Sequence, residues 1–203
     1  FKVSSFAGLG LADYDCGVIS AGALLQYLLE TQKNDLSNLT HITPYASGKY
    51  MMLDSSTRRN LELCETLRAE RKRGSLLWVL DKTKTAMGAR MLRSFIEQPL
   101  IEEEAINQRL DAVEEINRQE MDREEIRAYL GPVYDLERLI SRVSYQSANP
   151  RDLIAFKTSI GMIPPIRRLM GQFQSKELET IYEDRDELQD LYQVLDKAIV
   201  EDA

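Results

Sequence analysis

Apolar residues recur at helical spacing through most of this chain, and the alternation typical of strands is almost absent. In the segment IEEEAINQRLDAVEEIN, residues 101–117, they recur at i, i+4, i+7 and i+10, which is the spacing of one helix face. They are Ile106, Leu110, Val113 and Ile116. Such a helix would be about 24 Å long at 1.5 Å per residue. The chain is therefore predicted to be all-α.

Start and stop signals divide the pattern into separate helices. Asn149 followed by Pro150 is a cap with proline at the first helical position, and Thr85 stands before the helical run 86–98, which Pro99 ends. Gly131-Pro132 and Pro164-Pro165 predict breaks. We expect an irregular multi-helix bundle with long lever-like helices and at most one short extended segment, at KYMMLD, residues 49–54.

Two further runs of the sequence predict helices. The run CGVISAGALLQYLLETQK, residues 16–33, is apolar over a wide arc, which predicts a central helix with close neighbours at Gly17 and Gly22. Ser55, Ser56 or Thr57 would cap a second helix through RRNLELCETLRAE, residues 58–70.

His41, the single histidine, is expected on a surface loop without a catalytic partner.

The negative charge of the chain is concentrated near its C-terminus. The net charge is −7, and residues 177–203 hold ten acidic and two basic residues, so residues 1–176 sum to +1. A basic cluster, Arg68, Arg71, Lys72 and Arg73, is the best local candidate for a phosphate contact. A solvated helix end is the favoured interpretation of that cluster.

Cysteine usage and hydropathy indicate the compartment. The two cysteines, Cys16 and Cys64, are far apart and lack partners at metal-ligand spacing, so neither a disulfide framework nor a zinc site is expected. The apolar runs are far shorter than the ~20 residues of a membrane span, and no signal-peptide pattern is present. A cytoplasmic location without membrane contact is expected.

The sequence DKTKT, residues 81–85, differs in one letter from DKTGT, the phosphorylated-aspartate motif of ion-pumping ATPases. That chemistry needs the glycine, a buried strand before the aspartate and an α/β domain, none of which this sequence predicts. We therefore interpret Asp81 as the polar exit of a buried apolar turn containing Trp78. Thr85 would cap the next helix, and Gly88 would allow a close approach by another element.

Several segments resemble, in order and spacing, the core and lever region of MutS-type DNA mismatch-repair proteins. They are MMLDSSTRRNLEL, GSLLWVLDKTKTAMGARMLRSFIEQPL, INQRLDAVEEI and YQSANPRDLIAFKTSIGMIP. The run FAGLGLADYDCGVISAGALLQYLLETQKNDLSNLTHI is similar to the start of that region. The resemblance covers nearly the whole chain.

The resemblance implies a part of a larger DNA mismatch-recognition ATPase that starts mismatch repair. Residues 1–203 would be the first part of its core and lever domain: 1–49 an N-terminal core helix and connection, 50–100 the core motif region, and 101–203 the helical core and start of the lever. The chain would be a noncatalytic segment that links the DNA clamp to the ATPase domain and transmits conformational change. It would hold no cofactor, catalytic residue or metal of its own, whereas the whole protein, expected to be a dimer, would bind ATP, magnesium and mismatched double-stranded DNA.

The positions that match the motifs are expected to fix turns and inter-helix polar contacts. They are Arg58, Asn60, Trp78, Asp81, Thr85, Gly88, Arg90, Pro99, Arg109, Pro150 and Arg151. An alternative is that some of these arginines contact DNA phosphate. Hinges are expected at Gly74, Gly131-Pro132 and Pro164-Pro165.

Two other functions compete with the transmission segment. A free-standing helical adaptor would use its apolar faces to bind partner helices. Under the mismatch-repair interpretation, we expect some apolar surface to be exposed where segments that return from the clamp would cover it. An aspartyl-phosphate enzyme would use Asp81 and would show acid-labile labelling of that residue. A GxxxxGK[ST] loop elsewhere in the reading frame would favour the mismatch-repair interpretation.

Overall fold

A computed structural model describes residues 11, 14–31, 39, 42, 47–68, 70–183 and 186–199. His41, predicted to lie on a surface loop, is outside these residues. The chain divides into two compact units, Phe1–Gly48 and Lys49–Ala203. Among the described residues, no helix is long and apolar enough to cross a membrane.

The structure is helical, as predicted. The helices are α1 Asp15–Thr31, α2 Ser55–Asn60, α3 Leu76–Leu80, α4 Ala86–Glu97, α5 Glu103–Arg118, α6 Glu120–Leu130, α7 Leu136–Ser144, α8 Pro150–Gly161, α9 Ile163–Met170, α10 Lys176–Glu183 and α11 Gln189–Ala198, with a 3-10 turn at Ser47–Lys49. The predicted extended segment is reduced to one antiparallel bridge, between Tyr50 and Leu100.

In the first unit, the prediction of a central helix is wrong for the described residues. No residue of α1 is buried, and Ile19 is 72% exposed. Among the described residues, nothing lies within 4 Å of a Cβ placed on Gly22, and a Cβ on Gly17 meets only Tyr14 of the preceding turn. The wide apolar arc alone does not bury this helix.

In the second unit, the helix predicted over residues 58–70 is much shorter. It is α2, capped by Asp54, whose side chain accepts a hydrogen bond from the Thr57 backbone N–H, and it ends at Asn60. Glu62 then takes a positive φ of 48°. The chain turns there because the carbonyls of Glu62 and Leu63 accept hydrogen bonds from the later segment that begins α3.

The caps and breaks predicted after residue 80 are confirmed. Thr85 accepts from the backbone N–H of Gly88 at the start of α4. Asn149 and Asp152 form a capping box around Pro150 at the start of α8. α6 ends at Gly131, and the prolines after α8 begin α9 rather than only ending its predecessor.

The helix faces were predicted less well than the helix ends. In α5 the small residue Ala112 is buried, whereas Leu110 and Val113 are 58% and 64% exposed. Ala112 joins Phe173 and Leu178 in an apolar cluster. The prediction that apolar surface is exposed is confirmed; Trp78, Met91, Phe95, Ile140 and Val143 are also exposed.

The second unit is held together by helix pairs around α8 and α10. α10 packs on α5 and α9, α6 packs on α5 and α9, and α8 contacts α7, α9 and α11. Ile160 of α8 is 1% exposed. Lys157, also buried, places Nζ 3.2 Å from Asp196 Oδ1 of α11, and Tyr192 of α11 lies against Gly161.

Candidate functional site

The connection between α3 and α4 is organised around Asp81. Its carboxylate pairs with Lys72 Nζ and accepts hydrogen bonds from the backbone N–H and Oγ1 of Thr83, at 3.2 and 2.6 Å. The hydrogen bond from Lys72, followed by those from Thr83, lowers the pKa of Asp81 to about 2. This carboxylate is an anchor that holds a turn, and the turn follows the helix α3 rather than a strand.

The apolar turn before Asp81 is less buried than its sequence predicts. Leu77 is 4% exposed, but Trp78 is 46% exposed and Leu80 is 48% exposed. Ser75, which is buried, donates to the Lys72 carbonyl at 2.7 Å and accepts from the Trp78 backbone N–H at 3.2 Å. A hydroxyl, rather than the indole, therefore fixes the start of α3.

Gly88 is crowded by the connection that precedes its own helix. A Cβ at this position would lie 3.1 Å from Thr85 Oγ1 and 3.6 Å from Thr83 Cβ. The expectation of a close approach is thus correct in kind, but the approaching element is the Asp81–Thr85 turn and not a neighbouring helix. The glycine leaves room for the cap that starts α4, since Thr85 Oγ1 accepts from Gly88 N at 3.0 Å.

Arg90 joins α4 to the start of α7. Its two terminal nitrogens, Nη1 and Nη2, each lie 2.8 Å from one oxygen of the Asp135 carboxylate, and Nη2 also lies 2.5 Å from Glu137 Oε2. The hydrogen bond from Arg90 lowers the pKa of Asp135. This forked geometry fixes orientation as well as distance. Asp135 also caps α7, so one carboxylate serves both a helix end and an inter-helix contact.

A second polar tie connects the same region to α6. Arg127 Nη1 donates to the backbone carbonyl of Lys82 at 3.3 Å. Arg127 thus ties α6 to the α3–α4 connection, and Arg90 ties α4 to the start of α7. At the other end of α4, the Pro99 carbonyl accepts from Met51 N at 2.8 Å, beside the Tyr50–Leu100 bridge. Both ends of α4 are therefore fixed by contacts with distant parts of the chain.

A polar cluster lies between α2 and α4. Arg93 Nε is 2.9 Å from Glu97 Oε1, and the Cys64 thiol donates to the same oxygen at 3.3 Å. Burial, and then the hydrogen bond to Glu97, raise the pKa of Cys64. Arg58 Nε is buried beside this cluster without a hydrogen-bond partner in the described structure. A cavity of about 310 Å³ lies here.

The remaining predicted positions are dispersed. Arg109 of α5 lies over the Phe95 ring of α4, with Cζ 3.8 Å from the ring centre. Asn60 is exposed at the end of α2, and Arg151 is exposed in the first turn of α8, next to Pro150. The structure thus gathers Asp81, Thr85, Gly88 and Arg90 along one connection and its helix, and leaves the α8 positions apart.

The carboxylates that accept these contacts, and the donor Arg127, could not be identified as partners from the sequence. No motif or spacing in the sequence singled out Glu137, Arg127 or Glu97. Lys72 was grouped with a basic cluster, although it pairs with Asp81. A signal exists for Asp135 alone, because an aspartate cap places a carboxylate at a defined corner of the fold.

The arrangement is suited to holding helices rather than to chemistry. No group of His, Cys, Asp and Glu within the described residues could hold a metal ion. The Asp81 carboxylate is engaged by Lys72 and Thr83, and the Arg90 guanidinium is engaged by carboxylates, which favours the inter-helix role over a phosphate contact for this arginine.

Comparison with known proteins gives a consistent family match. A family model described as MutS domain III matches residues 56–203. The DNA mismatch repair protein MutS of Lachnoclostridium phytofermentans is 60% identical over 202 residues, which cover 100% of this chain and 22% of the relative. The MutS proteins of Acetivibrio thermocellus and Alkaliphilus metalliredigens are 49% and 45% identical, over 93% and 100% of this chain. The chain spans 22% to 23% of the length of these relatives.

Proposed function

Because this chain belongs to the MutS family, we propose that it is a noncatalytic structural and conformational-transmission segment of a DNA mismatch-recognition ATPase. It would link the DNA clamp to the ATPase domain within one longer chain. The whole protein would bind mismatched duplex DNA, use ATP and magnesium, act as a dimer in the cytoplasm and start mismatch repair. The names of the relatives and the family match support this proposal.

The observation that carries the transmission role is the fork of Arg90 on Asp135 and Glu137. Asp135 and Glu137 lie 45 and 47 residues after Arg90 in the sequence, and the Arg90 side chain joins α4 to the start of α7. A forked, charge-assisted contact has one well-defined geometry and is lost if the two helices shift. Together with Arg127 on the Lys82 carbonyl, it would make α4, α6 and the start of α7 move as one element.

The direct test uses Arg90→Ala in the full-length protein. We expect mismatched DNA to bind with nearly unchanged affinity when nucleotide is absent. The ATP-induced increase in the rate of DNA release should fall by about fivefold, which corresponds to about 1 kcal/mol in the barrier to release. Stopped-flow fluorescence of labelled duplex would measure both quantities.

Two companion variants sharpen that test. Arg118→Ala is the matched control, since Arg118 pairs only within its own helix, with Glu114. Arg90→Lys keeps the charge but not the fork, so it should behave like the alanine variant in release. Equal losses of DNA binding and of ATP-induced release in Arg90→Ala, or no change in either, would contradict the transmission role.

A helical adaptor remains the second candidate because of the exposed apolar row on α5. Leu110 and Val113, exposed by 58% and 64%, could bind a partner helix. A GxxxxGK[ST] loop in the remainder of the reading frame would favour the ATPase proposal over the adaptor.

A further inference from the structure

Positive charge is concentrated in one short part of this acidic chain. Residues 55–75 contain six basic and three acidic residues, a net charge of +3, whereas the other residues sum to −10. Most of the basic residues fall in the segment 66–74, here called the basic loop. A local positive field on an otherwise acidic chain attracts a negatively charged partner.

The backbone of the basic loop is tied at its base. Thr66 N donates to the Arg71 carbonyl at 3.0 Å, and Leu77 N donates to the Leu63 carbonyl at 2.8 Å. Gly74 takes a φ of 101°, a conformation that glycine allows and other residues rarely adopt. The described residues of the loop are therefore held by backbone hydrogen bonds in the connection between α2 and α3, and not at the end of a helix as the sequence favoured.

The charges of the loop divide into internal and available ones. Lys72 is paired with Asp81, and the Glu62 carboxylate accepts from the Leu67 backbone N–H at 2.6 Å. Arg68, Arg71 and Arg73 are exposed, and in the part of the chain that the structure describes no carboxylate forms an ion pair with them. Three guanidinium groups are thus open to solvent on one loop.

We propose that Arg68, Arg71 and Arg73 contact the phosphate backbone of duplex DNA. Guanidinium groups suit phosphate because their planar fork donates two parallel hydrogen bonds. Leu67, 42% exposed, is the one large apolar residue exposed within the described part of the loop, so the loop presents charge rather than an apolar anchor, and a regularly charged phosphate backbone matches it better than a protein surface. The inference rests on the proposed DNA binding of the whole protein and adds a contact surface to it.

The test is the salt dependence of DNA binding by the full-length protein. Each phosphate contact contributes about 0.9 to the slope of log affinity against log salt concentration. The variant Arg68→Gln/Arg71→Gln/Arg73→Gln should therefore reduce that slope by about 2 to 3. The ratio of affinities for mismatched and matched duplex should be unchanged, because phosphate contacts carry no sequence information. Fluorescence anisotropy between 50 and 200 mM salt would measure both.

Matched variants separate this contact from a general charge effect. The control Arg118→Gln/Lys176→Gln/Lys197→Gln removes the same charge from exposed sites on α5, α10 and α11 and should leave the slope nearly unchanged. Lysine at the three loop positions should restore most of it. If the loop variant and the control show equal slopes, the inference is overturned. Binding of the loop to an acidic protein instead of DNA would give that result. Absence of DNA binding by the unmodified protein would instead contradict the proposed function.

Discussion

Residues 50–100 and the helices around α8 are stabilised in different ways. Among the described residues of the first region, only Ser75 and Leu77 are buried. Its order comes from caps, forked ion pairs and hydrogen bonds at the ends of α3 and α4. Around α8, by contrast, Lys157, Ser159 and Ile160 are buried on one helix. The first region is held at its ends and the second through its interior, so substitutions should affect the two regions differently.

The largest effect is expected for Ile160→Ala. Ile160 is 1% exposed, and truncating a fully buried isoleucine costs about 2 to 5 kcal/mol in the free energy of unfolding. Urea titration would measure the loss. Ile140→Ala on α7, where the side chain is 52% exposed, is the matched control and should cost about 1 kcal/mol or less. Similar losses in both variants would show that the region around α8 is not stabilised through its buried interior.

A smaller effect is expected for Gly88→Leu in the region held at its ends. The new side chain would press on Thr85 Oγ1, 3.1 Å from the Cβ position, and would weaken the cap of α4. Loss of a cap and mild crowding together suggest about 2 kcal/mol, measured as a lower melting temperature.

The glycine of α1 supplies the comparison for that prediction. In the part of the chain that the structure describes, nothing lies within 4 Å of a Cβ at Gly22, so Gly22→Ala should stabilise the chain, by up to about 1 kcal/mol from helix propensity. Gly88→Ala should not. An unchanged melting temperature for Gly88→Leu would show that the cap is not constrained by the glycine.

The smallest effect is expected for Asp81→Asn, and it should depend on pH. The pKa of Asp81 is lowered from 3.8 to about 2, so its contribution is fully present above about pH 4. It is lost as the pH falls towards 2, because the folded carboxylate then takes up a proton. The difference in unfolding free energy between the native chain and Asp81→Asn should therefore shrink across that interval. Asp111→Asn, on the exposed side of α5, is the control, and a constant difference for Asp81→Asn would contradict the paired carboxylate.

The sequence predicted the features that depend on neighbouring residues. The caps at Thr85 and at Asn149 with Pro150 follow from local backbone donors, and both are present. The end of α2 could not be read in this way, because the turn at Glu62 is fixed by the N–H of Leu76, 14 residues later. Equally, Arg90 was singled out by resemblance, but Asp135 lies 45 residues away, a distance over which no periodicity gives information.

The prediction of which helix faces are buried failed for a related reason: burial also depends on residues far away in the sequence. Periodicity located an apolar stripe on α5 but could not determine that Ala112, rather than Leu110, meets Phe173 and Leu178. A small residue allows close approach of two helices. Leu110 and Val113 of the stripe stay exposed, whereas Ile116 packs against the cluster. Which face of a helix is buried depends on the shape of the helix that packs against it, and a distant segment of the sequence forms that second helix.

The hydrogen bond from the Cys64 thiol to Glu97 has a consequence for labelling chemistry. Alkylating reagents react with the thiolate, and the raised pKa of Cys64 keeps that form scarce at neutral pH. Cys16 is exposed. A maleimide dye would therefore modify Cys16 first. Because burial and then the Glu97 hydrogen bond suppress the thiolate of Cys64, the rate at which Cys64 follows would report how often the surroundings of this thiol open in the native chain.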